Sequence, residues 1–269
     1  MKSLKGKVAL VTGAAMGMGK ALAVSLLSEG CTVALVDINS EKLAETASEL
    51  NNMGSCKAYT CNIADRSAVA ELADQINEDL GTPAILINNA GVMKAAELID
   101  LDPESIERMI EVNLLSLFWL TKAFLPGMIK LNEANIVNIA SAGGILAIPN
   151  LSAYCASKFG VVGFSDAIRQ EMKKNRYNIA VTCVCPNTVG TGMFEGAKMV
   201  TGTSLLKPEQ VVSKIIAGIK KNKPMVAVPG FSIRFLTPLL KVLLPINAMD
   251  RLNSKLGMWN ANDATRGRC

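Results

Sequence analysis

The stretch Thr12-Gly13-Ala14-Ala15-Met16-Gly17-Met18-Gly19 joins a short apolar segment, residues 7–12, to a segment with helical spacing, residues 17–29. Its glycines allow a tight strand-to-helix turn and let a ligand approach the backbone closely. The N-terminus of the following helix supplies unpaired N–H groups and a partial positive charge. An ordinary turn can also be rich in glycine, but the position in the first strand–helix unit favours a site for a dinucleotide pyrophosphate.

The same alternation of strand and helix continues along the chain. Strands are predicted at 7–12, 32–37, 56–60, 84–88, 135–140, 179–185 and 225–228, and helices at 17–29, 40–52, 66–79, 103–130, 152–174 and 208–221. The strands are almost continuously apolar, which indicates a parallel sheet covered on both faces. Right-handed crossovers then give an α/β, doubly wound Rossmann fold with a seven-stranded parallel sheet and helices on both faces.

The composition is typical of a globular chain with a sizeable core. Half of the 269 residues are apolar and 19% are charged. No uninterrupted apolar run reaches the ~18–20 residues that a membrane-spanning helix needs, and the N-terminus enters a strand almost at once, which predicts no signal peptide. We predict a single domain, 1–269, with a long loop at 187–207 and an apolar and basic C-terminal extension at 231–269.

Charge and cysteine content narrow the class of protein further. The net charge of +5 is uneven, because twelve Lys and Arg residues face three acidic residues from Lys198 onward. No basic stripe is interleaved with aromatic residues, so nucleic acid is not a predicted partner. The basic part could favour an anionic membrane surface or only aid solubility. Seven cysteines without a Cys-x-x-Cys pair predict neither disulfides nor a metal site and fit a reduced cytoplasmic location.

Two further strand ends carry groups suited to a nucleotide. Asp37 ends the second strand, where a carboxylate can bind the ribose hydroxyls of NAD and repel the 2′-phosphate of NADP. No Lys or Arg lies in the glycine turn or directly after Asp37, so NAD is the predicted cofactor; a capping role for Asp37 is the alternative. Asn88-Asn89-Ala90-Gly91 ends the fourth strand, beside the expected reversal of strand order where ligands bind.

Tyr154-Cys155-Ala156-Ser157-Lys158 places a phenol and an ammonium group one helical turn apart. The chain has three tyrosines and no histidine, so acid–base chemistry must proceed without imidazole. A nearby cation favours the phenolate and is expected to lower the pKa of Tyr154 towards the working pH. A pair of surface residues on an ordinary helix is the alternative interpretation.

These motifs occur together with Asn113 and Ser141, and their order and spacing resemble the short-chain dehydrogenase/reductase family over roughly residues 5–230. The resemblance implies that Tyr154 is the general acid in carbonyl reduction and the base in alcohol oxidation. It implies that Lys158 lowers the phenol pKa and binds the nicotinamide ribose, and that Ser141 hydrogen-bonds the reacting oxygen. Asn113 would hold a water that relays protons to Lys158.

The same resemblance implies a set of residues that bind the cofactor. The chain departs from the family at Asn62, where Asp is common, and at Asn187, where Gly is usual. These departures affect adenine binding and the shape of the substrate pocket rather than the chemistry. The implied cofactor-binding residues are Gly13, Ala15, Met16, Gly17, Met18, Gly19, Asp37, Asn62, Ile63, Asn89, Ala90, Gly91, Tyr154, Lys158, Pro186, Thr188, Val189 and Thr191.

The segments expected to line the substrate pocket are mostly apolar, which favours a lipophilic alcohol or ketone over a sugar or an acid. They include Val92 and the loop 187–207, interpreted as a substrate loop. Segment 231–249 is apolar with a narrow polar stripe, and we expect a lid or a subunit contact before a membrane contact. The predicted substrate-binding residues are Ser141, Gly143, Ile148, Met193 and Phe194.

The C-terminal third is similar to the hydroxysteroid and retinol dehydrogenase branch of the family. We therefore expect an NAD-dependent oxidoreductase of lipophilic secondary alcohols or ketones, cytoplasmic or peripheral at a membrane surface. A homodimer or homotetramer is expected from the family. The alternatives left open are a 3-oxoacyl-thioester reductase and a non-catalytic, NAD-binding, membrane-associated scaffold.

Overall fold

The computed structural model of the chain, described for residues 1–265 and 267, contains the predicted seven-stranded parallel sheet. Its strand order is β3-β2-β1-β4-β5-β6-β7, and every neighbouring pair is parallel. The doubly wound Rossmann prediction is therefore confirmed. The strands are β1 (Val8–Thr12), β2 (Thr32–Asp37), β3 (Cys56–Thr60), β4 (Ile85–Asn88), β5 (Ala134–Ile139), β6 (Ile179–Pro186) and β7 (Met225–Val228).

Helices cover both faces of the sheet. Leu22 and Leu26 of the first helix pack with Ile215 of the seventh in one apolar cluster, whereas Leu72 and Phe124 belong to a cluster on the opposite face. The helices are α1 (Gly17–Ser28), α2 (Ser40–Leu50), α3 (Arg66–Asp79), α4 (Pro103–Ile110), α5 (Ser116–Leu131), α6 (Ser152–Lys174), α7 (Pro208–Lys220), α8 (Thr237–Leu243) and α9 (Ile246–Lys255).

Side-chain caps fix where several of these helices begin. The Asn39 side chain accepts a hydrogen bond from the Lys42 N–H at the start of α2, and Asp65 and Asp102 act in the same way for α3 and α4. Each cap satisfies an N–H group that the helix itself leaves unpaired. Because each of these helices follows a strand of the parallel sheet, they start at its carboxyl edge, where a cleft opens between β1 and β4.

The predicted long helix at 103–130 is interrupted. Residues Glu111–Leu115 form a π-helical turn between α4 and α5. Such turns place one extra residue in a helix and are frequent at functional sites. The turn contains Asn113, which is completely buried.

Among the described residues, one helix is long and apolar enough, by length and composition alone, to cross a membrane. It runs over Pro103–Leu131 and includes the π-helical turn. Leu117, Leu120, Phe124 and Met128 of this helix are buried in the core, and a core helix passes the same test of length and composition. The helix was not anticipated as a membrane candidate because charged residues interrupt its apolar runs.

The C-terminal extension is helical in its first part. Ser232–Leu236 form a π-helical turn that continues into α8, and Leu244 and Pro245 separate α8 from α9. A short 3₁₀ turn, Met258–Asn260, follows. The extension was predicted to reach residue 269, and Arg266, Arg268 and Cys269 lie outside the described residues.

Candidate active site

The glycine turn after β1 is shaped by close backbone contacts. Gly17 has φ of +56°, a left-handed conformation that favours glycine. At Gly19, a Cβ atom would lie 1.8 Å from the carbonyl oxygen of Gly13. The first turn of α1 carries no acidic side chain, and its residues line the main cleft. This turn fits an anionic pyrophosphate, which would meet backbone N–H groups and the positive end of the helix.

Hydrogen bonds hold the ends of β1 and β4 together beside this turn. The Thr12 hydroxyl accepts bonds from the N–H groups of Asn89 and Ala90, both at 3.0 Å, and the Asn89 amide donates to the Thr12 carbonyl at 2.8 Å. The strand order reverses between β1 and β4. The brace therefore rigidifies the crevice where this fold binds ligands.

Asp37 lies where β2 meets the cleft. Its carboxylate accepts hydrogen bonds from the backbone N–H groups of Ala15 and Asn39, both at 3.0 Å. It therefore caps the following turn, as the alternative interpretation held, and it also lines the cleft. The two roles are compatible, because a carboxylate has about four lone-pair sites.

One continuous cleft connects the glycine turn to the Tyr154 region. Its volume is about 1360 Å³, including the part open to solvent. A single elongated ligand can therefore reach from Asp37 to Lys158. The predicted residues that line it are Gly13, Met16, Gly17, Met18, Gly19, Asp37, Asn62, Ile63, Asn89, Ala90, Gly91, Ser141, Tyr154, Lys158, Pro186, Val189, Thr191, Met193 and Phe194.

Five predicted site residues lie behind the cleft wall or beside it. Ala15 is buried, and Thr188 pairs its carbonyl with the Leu206 N–H at 2.9 Å. The Gly143 N–H donates to Ser141 Oγ at 3.0 Å, which places it next to the wall. Ile148 lines a separate cavity with Trp259. Asn113, the fifth, is described below.

The prediction missed several residues that line the cleft. Arg108 lies in α4 and Val112 in the π-helical turn, and neither stands three or four residues before Asn113, so helical spacing back from Asn113 would not have found them. The other missed residues flank strand ends that were identified correctly. Together the missed residues are Val36, Ile38, Cys61, Arg108, Val112, Ile139 and Ala140.

Three of the predicted catalytic groups meet at the inner end of the cleft. The Tyr154 phenol is hydrogen-bonded to the Ser141 hydroxyl, and its ring meets Phe194 edge-on with centroids 5.9 Å apart. The Lys158 ammonium lies 5.8 Å from the Tyr154 ring centroid and donates to the Ile139 carbonyl at 2.9 Å. Tyr154 and Lys158 are each only 4% exposed, which excludes a surface pair.

Asn113 supports this group from beneath. Its Oδ1 accepts from the Val92 N–H at 2.8 Å, and its Nδ2 donates to the Val92 carbonyl at 2.9 Å and to the Ser157 hydroxyl at 3.1 Å. Ser157 in turn donates to the Tyr154 carbonyl at 2.7 Å. Both amide hydrogens are therefore committed. Any contact of Asn113 with a relaying water would have to use an oxygen lone pair.

The acid–base properties differ from the prediction that Lys158 lowers the pKa of Tyr154. Burial raises the pKa of the Tyr154 phenol to about 12, against a smaller lowering by the hydrogen bond from Ser141. Burial also lowers the pKa of Lys158 to about 8. Both shifts follow from one cause, since a low-dielectric site disfavours whichever form is charged. Desolvation thus dominates both pKa shifts, and the phenol is protonated at neutral pH.

Comparison with known proteins agrees with this geometry. A family model described as short chain dehydrogenase matches residues 7–199. This chain belongs to the short-chain dehydrogenase family. The family is an oxidoreductase family, so the chain is assigned as an oxidoreductase enzyme. The resemblance predicted from the motifs is confirmed.

Several curated proteins resemble this short-chain dehydrogenase over most of its length. Estradiol 17-beta-dehydrogenase 11 of Macaca fascicularis is 37% identical over 260 residues, covering 96% of this chain and 85% of that protein. Retinol dehydrogenase 10-B of Danio rerio is 36% identical over 274 residues, covering 92% of this chain and 81% of that protein. The predicted similarity to the hydroxysteroid and retinol dehydrogenase branch is thereby confirmed.

A solved structure shows the same fold. The short chain dehydrogenase/reductase from Burkholderia phymatum, determined in complex with NAD, superposes with a TM-score of 0.81 at 24% identity. The match covers 94% of this chain and 97% of that one. Its likeness extends beyond residue 199, where the family model ends, and so includes much of the C-terminal extension.

In this short-chain dehydrogenase the loop 187–207 and the extension are joined. The Lys198 N–H donates to the Ala261 carbonyl at 2.8 Å, and the Thr201 N–H donates to the Leu256 carbonyl at 3.0 Å. A Cβ at Gly196 would lie 2.3 Å from the Ala264 carbonyl oxygen. The end of the extension therefore packs on the loop that carries Met193 and Phe194.

Within the described residues, no cluster of three or more His, Cys, Asp or Glu side chains could hold a metal.

Proposed function

We propose that this short-chain dehydrogenase transfers a hydride between NAD(H) and a lipophilic secondary alcohol or ketone of the steroid or retinoid class. The observation that carries the proposal is that Ser141, Tyr154 and Lys158 meet in the same cleft as the glycine turn and Asp37. The names of the estradiol and retinol dehydrogenases above support the substrate class.

The side chains suit this chemistry in distinct ways. When bound, the nicotinamide supplies or accepts the hydride. Tyr154, protonated at neutral pH, donates a proton to the carbonyl oxygen as the ketone is reduced, and takes it back in the oxidation. Ser141 hydrogen-bonds the same oxygen and stabilises charge that develops on it. Lys158 holds the nicotinamide ribose, and Asn113 holds the Val92 backbone and the Tyr154 helix in register.

The wall beside Tyr154 supports an apolar substrate. Met193 and Phe194 line the cleft and pack with Val92 and Met93 in one apolar cluster. We assign residues 187–207 as the substrate loop and the end of the extension as its outer support, within a single catalytic domain. Apolar burial of this kind contributes about 25 cal/mol per Å² of ligand surface removed from water, which favours lipophilic molecules over sugars.

Neither the 3-oxoacyl-thioester reductase nor the non-catalytic scaffold is favoured. The curated relatives carry steroid and retinol dehydrogenase names rather than those of thioester reductases, and a scaffold would not need Ser141, Tyr154 and Lys158 to converge. The homodimer or homotetramer and the cytoplasmic location stay predictions. Exposed apolar residues on the long helices, namely Leu115, Phe118 and Phe159, support a subunit contact.

A panel of steroids, retinoids, aliphatic alcohols and acyl thioesters, followed by NADH absorbance, tests the substrate class. We expect turnover of lipophilic secondary alcohols with NAD, and at least ten-fold lower kcat/KM with NADP. Turnover confined to acyl thioesters with NADPH would instead establish the reductase alternative.

Replacing Asp37 by Asn tests the source of the cofactor preference. The variant keeps a hydrogen-bond acceptor for Ala15 and removes the charge that repels a 2′-phosphate. Like charges placed together in a binding site cost several kcal/mol. We therefore expect the ratio of kcat/KM with NAD to kcat/KM with NADP to fall about ten-fold or more. Glu41→Gln removes a charge nearby on the exposed start of α2 and is the control. An unchanged cofactor ratio in Asp37→Asn would show that the preference arises elsewhere.

The raised pKa of Tyr154, about 12, predicts different pH profiles for oxidation and reduction. Below this value the phenolate fraction grows up to ten-fold per pH unit, so initial rates of oxidation should rise between about pH 6 and 10. Reduction should not fall across the neutral range, because the phenol stays protonated. Loss of the Lys158 charge should add an inflection near pH 8 in both profiles. Measured kcat/KM profiles check this, and a flat oxidation profile would contradict it.

A further inference from the structure

The helical segment after β7 packs against the body through one side. Ile233 is buried in an apolar cluster with Val161 and Phe164 of α6. At the next positions four residues apart, Thr237 is partly buried and the Lys241 ammonium donates to the Ile145 carbonyl at 2.8 Å. The side turned to the protein is therefore mixed, and besides these residues it includes the partly buried Pro238, Leu240 and Leu244.

The opposite side of this segment is apolar and exposed. Val242 is 83% exposed, Ile246 79% and Phe231 72%. Amphipathic helices of globular domains normally turn their apolar stripe inward, whereas this segment also exposes many apolar side chains on its outer side. We call this surface the outer apolar face, and it comprises Phe231, Phe235, Leu236, Leu239, Val242, Leu243 and Ile246.

A contiguous exposed patch of this kind marks an interaction surface, whereas single exposed apolar residues do not. A lid would turn such side chains towards the cleft, but here they point away from the body. The expectation that the segment packs on its own protein as a lid is therefore not supported. This exposed surface instead fits an external partner that accepts many apolar side chains.

Charge identifies the partner. Between Glu209 and Asp250 the chain contains no acidic residue. The Arg234 guanidinium lies 5.3 Å from the Phe235 ring centroid, and Arg251 and Lys255 are exposed on the adjoining helix α9. Apolar side chains flanked by cations match the interface of an anionic lipid bilayer, which attracts each Lys or Arg near it by about 1 kcal/mol.

A second copy of the chain fits less well. A two-fold contact brings the same surface patch of both copies together. The contact would then bring two patches of net positive charge together, and like charges placed together are unfavourable. A lipid surface accepts the apolar residues without this repulsion.

We propose that the outer apolar face binds the surface of an anionic lipid bilayer, with the helix lying in the plane of the interface. Lys241 links this face directly to Ile145, in the segment that follows Ser141 along the chain. The docked enzyme would therefore hold its substrate region close to the membrane, and this consequence rests on the proposed lipophilic substrate.

Vesicle flotation tests the docking. Wild-type protein should float with vesicles of phosphatidylcholine containing about one third phosphatidylserine, and the bound fraction should fall in about 0.5 M salt, where screening is strong. The triple variant Phe235→Ser, Leu239→Ser, Val242→Ser should lower the partition coefficient at least ten-fold. Arg234→Gln should weaken binding to the anionic vesicles and leave binding to pure phosphatidylcholine unchanged.

Leu98→Ser combined with Ile99→Ser is the matched control, because both residues are exposed apolar side chains of another loop. It should float like the wild type. Thermal unfolding confirms that each variant is folded. Flotation needs no turnover, so its outcome is independent of the Tyr154 chemistry. Wild-type protein that stays in the aqueous phase would overturn the proposal. A triple variant that binds vesicles like the wild type would overturn it too, as would a triple variant whose only change is in oligomeric mass.

Discussion

Tyr154→Phe is expected to lower kcat by about 10²- to 10⁴-fold in both directions, the usual contribution of a positioned general acid or base. The change removes one oxygen atom and leaves the ring against Phe194. With no histidine in the chain, no imidazole can take over the proton transfer. Because the phenol is not part of the glycine turn, the dissociation constant of NADH should stay within about two-fold.

Tyr177→Phe is the matched control for this experiment. It deletes the same atom from a tyrosine that is 39% exposed and lies after α6, away from the cleft. Its kcat should equal that of the wild type. Fluorescence titration with NADH and single-turnover measurements separate binding from chemistry. Retained turnover in Tyr154→Phe would show that another group supplies the proton.

Much of the fold could be predicted because its signals are local. The apolar strands β1, β2 and β4–β6 must be buried on both faces, and helices between them force a parallel sheet. The glycine turn and the Tyr154–Lys158 pair each depend on neighbours in sequence. Their convergence followed from the order of strands, since the carboxyl ends of parallel strands share one edge.

Other features depended on contacts that spacing does not encode. The π-helical turn around Asn113 has no distinctive composition, so an unbroken helix was predicted. The pKa of Tyr154 depends on how deeply tertiary packing buries it, whereas the sequence shows only the lysine four residues away. The apolar period of segment 231–249 was visible, but periodicity cannot say which side of a helix meets the body. That one side stays exposed is visible only once the contacts of Ile233 and Lys241 with the body are known.

Gly19→Ala is expected to disrupt both cofactor binding and stability. The new Cβ would lie 1.8 Å from the Gly13 carbonyl oxygen and 2.6 Å from its carbon. These are backbone atoms, so no side chain can rotate away, and the turn or α1 itself must move. Overpacking of this kind costs about 3 kcal/mol or more, which corresponds to a fall in Tm of roughly 6–12 °C for a domain of this size.

The same displacement moves the N–H groups that face the pyrophosphate. A shift of about 1 Å at a binding site can cost on the order of 100-fold, and we expect a loss of NADH affinity of that size. Calorimetric titration and thermal unfolding measure the two effects.

Gly163→Ala supplies the control, because this glycine lies exposed within α6 and an added Cβ meets nothing within 4 Å. Alanine is a better helix former than glycine, so Gly163→Ala should raise stability by about 0.5–1 kcal/mol and leave NADH affinity unchanged. The two substitutions add the same methyl group to helical glycines of one fold. If Gly19→Ala lowers the stability and Gly163→Ala raises it, the close approach of Gly19 to the Gly13 backbone is the cause of the loss. Normal NADH affinity in Gly19→Ala would mean that the pyrophosphate is held elsewhere.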